Sequence, residues 1–178
     1  LLKVFSSTPN LIGVEKVIGT TKGEIIQPPP LLKQRQQVSA SDLLLDKDGR
    51  IRRSLLYLRT QDNQTIFTLG AKSALIYLAA NGIRLQTINT DKKEVQLGQA
   101  TFTPLQPDDG GYVGVDAGGY QILSNFPKLQ KGFYTIPITD VLQGRMPPEF
   151  VSDRIVLIGL TAESLKDKFF TSYTLEAN

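Results

Sequence analysis

Residues 153–173 read DRIVLIGLTAESLKDKFFTSY. Ile155, Val156, Leu157 and Ile158 form an uninterrupted apolar run, the pattern of a strand that a parallel sheet buries on both faces, where no alternation with polar residues is required. Gly159 ends the run, and the polar residues after it open a helical turn. Strand, glycine turn and helix in that order form the local signature of an α/β fold. The expected architecture is a mixed, largely parallel sheet flanked by helices.

Working outward, Thr139 is expected to cap a short helix, with Asp140 in its first turn and Gly144 as its stop. Residues 120–126 read as a strand. Residues 110–119 carry five glycines in ten positions, which marks a loop because glycine weakens helix and strand alike. Residues 84–89 and 94–102 read as two strands around a polar turn at 90–93. Phe67, Ala71, Ala74, Leu75 and Leu78 fall on one face of a 3.6-residue period, which predicts a helix over 66–81 stopped by Gly82 in a left-handed conformation. In DLLLDKDGRIRRSLLYL, residues 42–58, apolar runs flank Asp48-Gly49 and predict an antiparallel hairpin appended to the sheet, with strands on both sides. Pro28-Pro29-Pro30 predicts an extended connector that stands outside any helix or central strand. Residues 11–18, LIGVEKVI, read as a strand closed by a turn at 19–23.

A chain of 178 residues with 40% hydrophobic content suits one domain, 1–178, with a single core that needs no disulfide or metal staple. There is no cysteine and no histidine. That composition excludes thiol nucleophiles, Ser-His-Asp triads, histidine-ligated haem and ordinary zinc sites, and no cofactor is expected. The net charge is +3 and the basic residues form no tract, so nucleic acid is not an expected partner. No apolar run reaches the ~18 residues that a membrane helix needs. Residues 1–5 are too short for a signal-peptide core. With no initial Met and no caps or tails at either end, the chain reads as a piece of a longer protein.

Four patterns invite chemistry. Asp46-Lys47-Asp48-Gly49 resembles a calcium loop, but alignment on the glycine puts Leu44 and Leu55 where the first and twelfth ligands belong, so a turn is the better reading. Gly159-Leu160-Thr161 follows the apolar run as a phosphate-binding turn would, yet lacks the glycine spacing of either nucleotide fingerprint. Asp108, Asp109, Asp116 and Asp167 offer carboxylates for acid and base roles, though nothing in the sequence pairs them; solvation and capping are the ordinary roles of aspartates beside glycine. Arg50, Arg52 and Arg53 suit an anionic ligand, or a solvated hairpin face.

Three blocks together resemble the second class of CHASE domains, the cyclase- and histidine-kinase-associated sensory extracellular modules of bacterial receptors. The first is PPPLL with DLLLDKDGRIRR, carrying Asp46, Asp48, Gly49 and Arg52. The second is DDGGYVGVDAGGYQILSNF, whose glycine-rich block ends in Tyr120 and an apolar strand. The third is DVLQGRMPPEFVSDRIVLIGLTAESLKDKFFTSY, with Gly159, Thr161 and Asp167. The resemblance spans residues 11–173 and departs from the family at Ser124-Asn125-Phe126-Pro127; the family's opening strand and helix and its membrane-leading segment have no counterpart here. It implies an extracytoplasmic input domain with no catalytic residue and no metal, held by membrane spans outside this chain. The output is expected to be a histidine kinase, nucleotide cyclase or serine/threonine kinase, the signal a small molecule or a protein, and a homodimer is compatible with this arrangement. Contacts to a signal are expected from Asp116, Tyr120, Thr161 and Asp167, at loops where open α/β sheets bind. Asp46, Asp48, Gly49, Arg52 and Gly159 are expected to be structural. Two rivals stand beside it: an interaction or dimerisation module without a small ligand, and a soluble hydrolase using the aspartates.

Overall fold

A computed structural model of the chain describes residues 1–18, 26–60, 63–126, 133–160 and 169–173. They fall into two compact units, 1–124 and 125–178. The turn expected at 19–23 and the helical turn after Gly159 lie outside the described residues.

The first unit opens with helix α1 (Leu2–Ser7) and strand β1 (Gly13–Glu15). Helix α2 (Pro30–Gln34) leads from there to β2 (Val38–Ala40), which pairs with β1 in parallel register. Pro30 is thus the first helical residue and only Pro28 and Pro29 act as connector. The exception is physical: the first turn of a helix has no partner for its N–H groups, so proline loses nothing there. Leu32 turns inward from α2 and is buried.

Strand β3 (Arg50–Ile51) is followed by β4 (Arg53–Arg59), the centre of a three-stranded antiparallel sheet between β5 (Thr65–Phe67) and β9 (Tyr120–Leu123). Arg53 and Leu55 are buried on one side of β4, and then the buried position shifts to Leu58. The shift follows from a bulge against β9: Leu55 faces Gln121 while Tyr57 faces Tyr120, leaving Leu56 unpaired on the bulged strand. Leu55 and Leu58 join Ala40 in the core, with Val17, Leu44 and Ile66 packed against them. Before the hairpin turn only an isolated bridge, Leu44 to Arg53, continues the ladder, so the expected leading strand is reduced to one pair.

Helix α3 (Leu69–Ala80) ends at Gly82, which has a φ of +76° as expected of a left-handed stop. The helix does not extend back to Ile66. Residues 65–67 are β-branched or aromatic, and they pair with β4 instead; the Tyr57 and Phe67 rings meet edge to face at 5.7 Å. Next comes a meander, β6 (Leu85–Asn89), β7 (Glu94–Leu97) and β8 (Ala100–Phe102). The expected second strand here is two, because Gly98 takes a φ of +62° and reverses the chain. The α/β mixture holds, and parallel pairing is found in β1–β2, while the ladders of β4 with β5 and β9, and of β7 with β6 and β8, are antiparallel.

The second unit contains α4 (Ile138–Leu142), a helical turn at Pro148–Phe150 and β10 (Phe170–Thr171). Pro137 occupies the cap position expected of Thr139, which lies inside the helix. Asp140 pairs with Arg145, and the Tyr134 and Phe150 rings stack at 4.6 Å. Residues 155–160 have no regular structure. Ile155 to Ile158 are between 51 and 85% exposed, so the buried parallel strand expected there is absent; an apolar run states a need for burial without supplying the partner that provides it.

Candidate functional site

The hairpin turn closes with the Gly49 N–H donating to the Asp46 carbonyl at 2.8 Å and the Asp46 N–H donating to the Arg50 carbonyl at 2.9 Å. That closure brings both aspartates onto the arginines that follow. Arg52 donates from Nη1 to Asp46 Oδ2 at 2.9 Å, and forks onto Asp48 at 2.9 and 2.6 Å. Arg53 donates from Nε and Nη2 to Asp46 Oδ1, both at 2.9 Å. Asp46 thus takes two guanidinium groups at once, with its side chain only 8% exposed.

The same cluster holds the glycine-rich loop. Tyr112 donates its hydroxyl to Asp46 Oδ2 at 2.9 Å, and the Arg53 guanidinium lies 5.3 Å from the Tyr112 ring centre, in cation–π range. Arg53 Nη1 reaches the Asp116 carbonyl at 3.0 Å and Gln121 Oε1 at 2.8 Å. Gln121 in turn donates to the carbonyls of Asp116 and Gly118 at 3.0 and 2.7 Å. Hairpin, loop and strand β9 therefore form one polar clasp around a buried arginine. Gly119 completes the exit from the loop: its φ is +74°, and a Cβ there would lie 2.8 Å from the Tyr57 carbonyl oxygen.

Burial pushes the Asp46 carboxyl up, but the hydrogen bonds from Arg52, Tyr112 and Arg53 outweigh it and hold the group below the usual carboxylate value. Arg52 lowers exposed Asp48 to about 2. Asp48 and Asp46 in return raise Arg52. Burial and the bond to Asp46 raise the Tyr112 hydroxyl. With both carboxylates committed to arginines, the hairpin is not set up as a calcium loop.

The expected site residues separate. Asp46, Asp48, Gly49 and Arg52 come together in the clasp. Asp116 joins through its carbonyl, while its exposed carboxylate accepts the Gly118 N–H at 2.8 Å. Tyr120 sits beside the clasp on β9, buried, with its hydroxyl donating to the Phe102 carbonyl at 2.8 Å. Gly159 lies in exposed chain of the second unit, and Thr161 and Asp167 fall outside the described residues. The carboxylates of Asp108 and Asp109 accept the backbone N–H groups of Gly114 and Gln106, both at 2.8 Å, which is the capping role. Arg53 is the residue whose role the sequence reading missed: it is 6% exposed, so the solvated-face reading fails for it. Two arginines opposite two aspartates across one turn were the available signal; Tyr112 and Gln121 gave none, being far away in sequence.

Tyr120 also lines an apolar cavity of about 120 Å³. Its walls come from α3 (Ala71, Ala74, Leu75), from Leu56, Tyr57 and Phe67, and from Leu85, Val95, Leu97 and Phe102 of the meander. On β9, Tyr120 faces this cavity and the next residue, Gln121, binds the clasp, as alternation along a strand requires.

No helix of the described residues is long and apolar enough to cross a membrane. Comparison with curated proteins and with solved structures returns no match. The family model of the CHASE2 domain matches residues 1–177. By that match over essentially its whole length, the chain belongs to the CHASE2 domain family, the sensory extracellular domains of signalling receptors.

Proposed function

We propose that this chain is the extracytoplasmic input domain of a bacterial transmembrane receptor, and that it passes a signal to a histidine kinase, nucleotide cyclase or serine/threonine kinase across the membrane. The observation that carries this reading is the family match over residues 1–177. The clasp supports it by supplying a candidate two-state element: one buried arginine ties a hairpin, a glycine-rich loop and a strand, so a signal that favours one arrangement of the loop acts on all three. Only a difference in affinity between arrangements shifts the receptor; moving a 1:99 population to 99:1 takes about 5.5 kcal/mol. Asp116, Tyr120, Thr161 and Asp167 are the residues proposed to contact the signal. Reading the source gene on both sides of these codons tests the proposal. Membrane spans leading to a kinase or cyclase are expected; a gene product with neither contradicts it.

A second reading, a protein-interaction or dimerisation module, is favoured by the exposed apolar side chains of residues 155–158. Sedimentation equilibrium separates the two: tight self-association of the chain together with no small-molecule binding supports the module.

A further inference from the structure

We infer that the cavity between α3, the β5-β4-β9 sheet and the meander is the signal-binding site, and that its ligand is a compact uncharged molecule the size of a single aromatic ring. This deepens the sensory reading and rests on it.

The chemistry of the walls sets the ligand class. Every lining residue is aliphatic or aromatic, and the Tyr120 hydroxyl is already committed to the Phe102 carbonyl. A charged or strongly polar ligand would give up its water there and meet no partner. The walls offer water no polar contact of its own, so water entering from the open side is held only weakly and is readily displaced. The size follows from the volume: about 120 Å³ is slightly below the ~150 Å³ of an apolar protein cavity that takes up benzene. Tyr57, Phe67, Phe102 and Tyr120 supply ring edges and faces, and the Tyr57 and Tyr120 rings already lie 5.2 Å apart. Leu85, 38% exposed, marks the rim from which a ligand enters.

The cavity is also wired to the clasp. A ligand pressed against Tyr120 acts on β9, whose next residue, Gln121, holds Arg53 and the carbonyls of Asp116 and Gly118. Occupancy and loop arrangement then depend on one strand, as a sensor requires.

The test uses the 178-residue chain, benzene as probe, and benzoate as a charged control with the same ring. Saturation-transfer NMR and thermal melting should show saturable benzene binding with a raised melting temperature, and neither effect for benzoate. Ala74→Leu fills the cavity from the helix and should weaken benzene binding roughly tenfold or more. Ala71→Met fills the same space one turn earlier and serves if the first variant does not fold. Absence of benzene binding by the folded wild type overturns the ligand class and leaves the receptor reading standing. Undiminished binding by both filled variants places the ligand elsewhere and overturns the site. A cytoplasmic location of the domain, with benzene binding intact, would defeat the sensory role alone.

Discussion

Replacing Arg53 by alanine removes both guanidinium contacts to Asp46 Oδ1 and the donor to Gln121 and the Asp116 carbonyl. Arg53 and Asp46 are 6 and 8% exposed in their side chains, so the loss strips Asp46 Oδ1 of its donors in a poorly solvated place, while Arg52 and Tyr112 still hold Oδ2. Leaving a buried charge with no partner costs about 3–5 kcal/mol, and with Oδ2 still held the loss should lie at the lower end, about 3 kcal/mol. Arg52 is the internal control, because its side chain is 35% exposed and most of its contact is with Asp48, which is 50% exposed. Water screens that pair, and Arg52→Ala should cost much less. For a chain of this length that corresponds to a melting temperature lowered by roughly 6–12 °C for Arg53→Ala, against a much smaller drop for Arg52→Ala. Urea unfolding followed by far-ultraviolet circular dichroism measures both. Combining each arginine variant with Asp46→Asn in a double-mutant cycle isolates the pairwise coupling. Equal losses for the two arginines, or a larger loss at Arg52, would refute the view that Arg53 is the buried centre of the clasp.

Gly119→Ala should cost about 2 kcal/mol or more, since a positive φ and the close Tyr57 carbonyl act together; Gly114→Ala has a positive φ but nothing within 4 Å, and should lose only about 1 kcal/mol. Thermal melts of the two variants check the ranking. Asp46 and Asp48 both have lowered folded pKa values, so their stabilisation is complete above the ordinary carboxylate value of 3.8 and is lost as pH falls, through about 2 for Asp48. Urea midpoints recorded from pH 5 to 2 should therefore fall with acid, and Asp46→Asn should flatten that slope. Tyr120→Phe leaves the Phe102 carbonyl without its donor and should cost about 1–2 kcal/mol, read from the same urea curves.

Legibility in the sequence followed the range of the interaction. Helix α3 and the strands on either side of the polar 90–93 turn were readable because apolar period, Gly82 and that turn are local signals. The strand expected at 155–158 is absent because an apolar run does not supply its own partner. The helical period takes in Ile66 and Phe67, which the structure gives to β5, because strand pairing with β4 depends on residues eight and ten positions away. Gly98 was overlooked as a turn inside an otherwise regular strand pattern. In the clasp, Asp46, Asp48, Gly49 and Arg52 were legible from the family blocks. Tyr112 and Gln121 were not, since they reach the hairpin only after β9 has paired with β4. The apolar cavity was invisible for the same reason: its walls come from three stretches of chain, and no periodicity records where such faces meet.

The central claim is that this domain senses outside the cytoplasm, and its compartment is directly measurable. The chain has no cysteine, so Val113→Cys, at a position 92% exposed, introduces a single defined thiol into the domain of the full-length protein. A membrane-impermeant maleimide is applied to cells whose inner membrane is intact, then to lysed cells, with the unsubstituted protein as background. Labelling of Val113→Cys in intact cells is the predicted result; labelling that appears only after lysis would contradict the account.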